Sequence, residues 1–148
     1  TEAGPALSGA VRSAVSLAFL LREGIGDTVR ISLSADPVEE VIAAAALLSA
    51  FGVRDDIPRV ISCPTCGRCH IDVQRIASEV ERGIFSLKKG ITVAVMGCEV
   101  NGPGEAADAD VGIAGTAGGA ILFRKGKKSG PVEGDLMEAL FREIAGLD

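Results

Sequence analysis

Two short apolar runs, "RVIS" at residues 59–62 and "ITVAVMG" at residues 91–97, each lead directly into a cysteine, Cys63 and Cys98. Between them, residues 71–84 carry Val73, Ile76, Ala77, Val80 and Ile84 at helical spacing. Strand, helix, strand predicts parallel neighbours joined by a right-handed crossover, so both strands end at one edge of one sheet. Two cysteines far apart in the chain then converge at the carboxyl edge, where open α/β sheets place ligands. Cys66 and Cys69 follow Cys63 at three-residue spacing, and His70, the single histidine, comes next in "CPTCGRCH".

The flanking segments extend the α/β rhythm. Residues 8–23 read as a helix with Val11, Ala14, Val15, Ala18 and Leu21 on one face and Gly24 as its stop. A strand, "TVRISLS", follows. Asp36, Pro37 and Glu39 then supply an N-cap, a first-turn proline and a capping-box acid for a second helix. Its apolar stripe is Val38, Val41, Ile42, Ala45 and Leu48, and Gly52 ends it. The polar stretch "RDDIP" is the best boundary, dividing the chain into residues 1–55 and 56–148. Past Cys98, "ADVGIAGTAGGAILFRKGKKSG" reads as two strands around a loose turn, with the basic "FRKGKK" as a solvated turn or a docking point for an acidic protein. "GDLMEALFREIAG" closes the chain as a helix with Leu136, Leu140, Phe141 and Ile144 inward.

At 148 residues the chain can bury a core without disulfide help, so the cysteines need another explanation. A formal charge of −5 argues against nucleic acid as the main partner, because phosphate binding needs a basic surface. No apolar run reaches the roughly 18 residues of a membrane span, and "TEAGPALSGA" lacks the pattern of a signal peptide. A cytoplasmic protein with reduced thiols is the expectation. The start at Thr1, already resembling the middle of a domain, suggests a piece of a longer protein.

A cysteine taken alone is most often a small buried hydrophobe. Three in a turn rich in proline and glycine, with a fourth at a second strand end, read as a set. A redox C-x-x-C pair is one reading. Structural zinc held by Cys63, Cys66, Cys98 and either Cys69 or His70 is another. An iron–sulfur cluster is a third, since a cubane accepts three thiolates and a fourth ligand of another kind.

"CPTCGR" and "GCEVNGPGE", together with "TEAG" and "GIGDTVRISLSADPVEEV", closely resemble the carboxyl-terminal part of the 4-hydroxy-3-methylbut-2-enyl diphosphate synthase family, over essentially the whole chain. The resemblance implies the last β/α units of a (β/α)8 substrate-binding barrel in residues 1–55. It implies an α/β [4Fe-4S] domain, similar to the cluster domains of sulfite and nitrite reductases, in residues 56–148. It implies cluster ligands Cys63, Cys66, Cys98 and Glu105, with Asn101 beside them in contact with substrate or with the glutamate. On the barrel side it implies Glu2 as a proton donor or relay, and Arg30 with Ser32 as diphosphate contacts. Strand alternation agrees with the last pair, since residues i and i+2 share a face. Cys69 and His70 fall outside the family's ligand set, and Cys69 reads as a bystander packed near the next helix.

The activity implied is the two-electron reductive opening and dehydration of 2-C-methyl-D-erythritol 2,4-cyclodiphosphate, with ferredoxin or flavodoxin as electron donor. A homodimer is implied as well, each cluster domain closing over its partner's barrel, so that this piece alone lacks a complete active site. A four-thiolate electron carrier and a zinc-stapled interaction domain are the alternatives the residues leave open.

Overall fold

The computed structural model describes residues 3–100 and 106–147. The chain divides between Ile57 and Pro58 into two compact units.

The first unit is built on two helices, α1 (Ala6–Arg22) and α2 (Pro37–Ala50). Both end as the sequence requires. Gly24 and Gly52 take φ of 71° and 67°, and the next residue turns its N–H back onto the last helical turn, Ile25 to Leu20 O and Val53 to Leu48 O, each at 2.9 Å. Asp36 caps α2 by accepting the Val38 N–H at 2.9 Å. "TVRISLS" is not a strand among the described residues. A strand exists only through a ladder with a neighbour, and here Leu33 N–H goes to the Glu40 carboxylate at 2.7 Å while Ser34 N–H goes to Gly4 O at 2.7 Å. The period of two survives in the packing: Val29, Ile31 and Leu33 join Leu21 and Leu47 in one apolar cluster, with Arg30 and Ser32 at the intervening positions.

Each helix buries only part of its expected face: Leu21 and Ala45 are buried and Ala14 and Leu48 pack in the same apolar cluster as Leu21, while the valines of that face turn outward. Val11, Val15, Val38 and Val41 are exposed, and Gly9 and Ser13 of α1 and Leu47 of α2 are buried in addition. Each helix carries apolar residues on more than one side. Small residues decide which side closes: a Cβ on Gly9 would collide with Leu33 Cδ2, 2.7 Å away.

The second unit is a five-stranded mixed sheet, β1 (Arg59–Ser62), β2 (Thr92–Met96), β3 (Val111–Thr116), β4 (Gly119–Arg124) and β5 (Lys127–Pro131), lying in chain order. β1, β2 and β3 are parallel, and β3, β4 and β5 form an antiparallel meander. Helix α3 (Val73–Ile84) joins β1 to β2, followed by a 3-10 turn at Phe85–Leu87. Helix α4 (Leu136–Ala145) closes the unit. The core is a single cluster in which Val73, Ile76, Val80 and Ile84 of α3 meet β2, β3 and Leu140 and Ile144 of α4. Every residue of β2 is buried, as a strand covered on both faces must be. Gly83 lets α3 meet α4, since the Phe141 ring occupies the space a side chain there would need.

The two strands expected after Cys98 are three. Ala117–Gly118 is a tight turn between β3 and β4, and Lys125–Gly126, with φ of 48° and 71°, forms the turn into β5. β5 escapes detection because "KKSGP" has no apolar alternation. It is an edge strand, and lysine and proline guard an edge from further pairing.

Candidate functional site at the carboxyl edge of the parallel strands

β1 and β2 run in register from Arg59↔Thr92 to Ser62↔Val95, so Cys63 and the Gly97–Cys98 pair emerge at the same edge. Cys63 N–H continues the ladder to Val95 O at 3.4 Å. Cys63 Sγ then accepts the Gly97 N–H at 3.1 Å. Both Cys63 and Cys98 are buried, the latter 4% exposed. The structure thus brings these two cysteines to one end of the sheet, as the strand–helix–strand pattern requires.

The loop after β1 folds back over that edge. Cys66 is exposed and its carbonyl accepts the Cys69 N–H at 3.0 Å, closing a turn. His70 N–H donates to Gly97 O at 2.8 Å. Cys69 is half-buried, its Sγ donating to Ile71 O at 3.3 Å. Asp72 then caps α3 through the Arg75 N–H at 3.1 Å. Among the described residues, no three cysteine, histidine or acidic side chains gather around a point that could hold a single metal ion. A cubane distributes its ligands over separate irons. Two buried thiols at one edge, one already accepting an amide hydrogen bond, suit the thiolate donors of such a group.

Of the other expected site residues, Glu2, Asn101 and Glu105 lie outside the described residues. Arg30 is exposed and Ser32 half-buried in the first unit. Sequence reasoning missed Gly97. Its signal was present in "MGC", a glycine between a fully buried strand and a cysteine.

The basic turn lies elsewhere. Arg124 pairs with Val111 at the amino end of β3, and Gly126 packs on Ala107. Cys98 follows the opposite end of β2, so the turn at Lys125 lies at the other end of the sheet from the cysteine edge.

Residues 59–146 match the family described as the GcpE protein C-terminal domain, and residues 1–45 match the GcpE TIM-barrel domain. The chain is 55% identical over 145 residues to the 4-hydroxy-3-methylbut-2-en-1-yl diphosphate synthase (flavodoxin) of Bacillus cytotoxicus, covering 97% of this chain and 39% of that protein. Identity is 54% to the protein of the same description from Bacillus subtilis and 53% to that from Geobacillus kaustophilus, covering 38% and 39% of those proteins. The chain therefore spans about two fifths of the length of the relatives it matches. No described helix is long and apolar enough to cross a membrane. The family resemblance carried by "CPTCGR" and "GCEVNGPGE" is the one these matches return, and the chain belongs to the GcpE family.

Proposed function

We propose that this chain supplies the cluster domain and the last barrel units of an iron–sulfur enzyme that opens and dehydrates 2-C-methyl-D-erythritol 2,4-cyclodiphosphate to 4-hydroxy-3-methylbut-2-enyl diphosphate. The substrate takes up two electrons and two protons, its cyclic diphosphate ester is cleaved at carbon, and one hydroxyl departs as water. Relatives bearing that enzyme's name support the reading. The observation that carries it is the meeting of Cys63 and Cys98 at one sheet edge, with the Gly97 amide directed at Cys63 Sγ.

Cys63, Cys66 and Cys98 would hold a [4Fe-4S] cluster, with Glu105 on the fourth iron, in a domain of the kind found in sulfite and nitrite reductases. Such a cluster, when bound, supplies electrons singly and a Lewis-acidic iron for a substrate oxygen. A carboxylate is a harder ligand than thiolate and exchanges more readily, so Glu105 would be the ligand most easily displaced. Asn101 would donate a hydrogen bond to the substrate or to Glu105. Arg30 would bind the diphosphate, a guanidinium being suited to paired phosphate oxygens, with the Ser32 hydroxyl beside it. Glu2 would donate or relay a proton. Flavodoxin is the favoured electron donor because the relatives are named as flavodoxin enzymes, and ferredoxin is the other candidate. The site would be completed in the cytoplasm by a homodimer of longer chains, leaving this piece inactive by itself.

Anaerobic reconstitution with iron and sulfide tests the site. A brown protein with about four irons per chain, bleached by dithionite and reduced to a fraction of that iron by Cys98→Ser, is the expected result. A colourless protein that keeps one zinc ion refutes the cluster assignment.

A further inference from the structure

Gly97 is held on three sides. Its carbonyl accepts the His70 N–H. A methyl group added to its Cα would run into Cys69 Sγ. On the neighbouring strand, a methyl on Gly115 would lie 2.5 Å from Gly97 O and 3.2 Å from its carbonyl carbon. The one backbone group left to point elsewhere is its N–H, and that reaches Cys63 Sγ at 3.1 Å.

We propose that Gly97 is a positioning residue, clasped between Cys69 and Gly115, whose amide sets the electron-donating strength of Cys63 toward bound iron. The proposal rests on the reading that Cys63 is a cluster ligand. A hydrogen bond to a ligand sulfur withdraws negative charge from it, and hydrogen bonds to the sulfurs are among the factors that set cluster potentials. The reduced form carries the extra negative charge, so this bond favours reduction. Glycine at 97 is required because Cys69 Sγ takes the side-chain space, and glycine at 115 because any Cβ there would push the Gly97 carbonyl away. Cys69 thereby gains a role in which its sulfur binds no metal: it is the wall against which Gly97 is set.

The test compares the anaerobically loaded parent protein with Cys69→Ala, Gly97→Ala and the Gly97→Ala/Cys69→Ala double variant, reading iron per chain and midpoint potential. Cys69→Ala keeps the parent's iron count. Gly97→Ala moves the potential to a lower value, because the added methyl displaces the amide from Cys63. The double variant returns the potential toward the parent's, since without the sulfur the nearest atoms to the methyl are Val73 Cγ2 at 3.3 Å and the remaining Cβ of residue 69 at 3.4 Å.

Loss of iron in Cys69→Ala makes Cys69 a ligand and overturns the proposal, as does an unchanged potential in Gly97→Ala. Where Gly97→Ala fails to fold or load, the double variant decides: recovery of iron and potential supports the clasp, and failure in both variants refutes it. A parent that takes up no cluster is recognised before any variant is made, and sinks the reading of the site itself.

Discussion

At the scale of single residues, the loops and helix starts of this chain are set by short polar contacts that the sequence announces. Asp135 accepts the N–H groups of Met137 and Glu138 at 2.9 and 3.0 Å, satisfying two donors that α4 cannot use internally. Asp135→Ala should cost about 1 kcal/mol of stability, read as a lower urea midpoint with an unchanged slope. By contrast, the Arg142–Glu138 pair on the same helix, with both side chains over 70% exposed, should show almost no effect when either partner is removed. The cysteines were visible as a set from their types and positions. Gly97 was not, because its importance lies in what a side chain would strike, and that depends on Cys69 and Gly115 arriving from other elements.

At the scale of elements, β1 and β2 were legible as short apolar runs and α3 and α4 by helical periodicity, and α3 buries four of the five residues its spacing selects. Ile76, 1% exposed in the middle of that face, should lose about 2–5 kcal/mol on replacement by alanine, measurable by chemical denaturation. α1 and α2 were legible as helices but only partly in orientation, since apolar residues on more than one side leave periodicity without a unique answer. "TVRISLS" has strand composition and no ladder among the described residues, which shows that a strand is a property of neighbours as much as of sequence. β5 has a ladder and no strand-like composition, the same lesson in reverse.

At the scale of the whole molecule, the units differ in how completely they close. The second unit has one continuous core. The first leaves Leu7, Val11, Val15 and Phe19 exposed at four-residue intervals along α1, with Leu7 at 81% and Phe19 at 72%. An apolar stripe of that length is poorly tolerated in water. The chain should therefore self-associate, with a scattering mass that rises with concentration. Replacing Val11 and Phe19 together by lysine should suppress the rise, and a monomeric profile for the parent at all concentrations would refute this expectation.

The chain-order sheet also fixes a sequence of events in time. Strands β3, β4 and β5 are joined by turns of two residues, so their pairing closes short loops and can form within microseconds. β2 meets β3 across 18 positions, and β1 meets β2 across 33, with α3 in between. Each longer loop sacrifices more chain freedom before its contacts repay it. Pulse-labelled hydrogen exchange during refolding should protect the amides of β3 and β4 first and those of β1 last. The junction of Cys63 with Gly97 is then the closing event of folding, and a chain that stalls short of it keeps its meander while its two buried thiols remain apart.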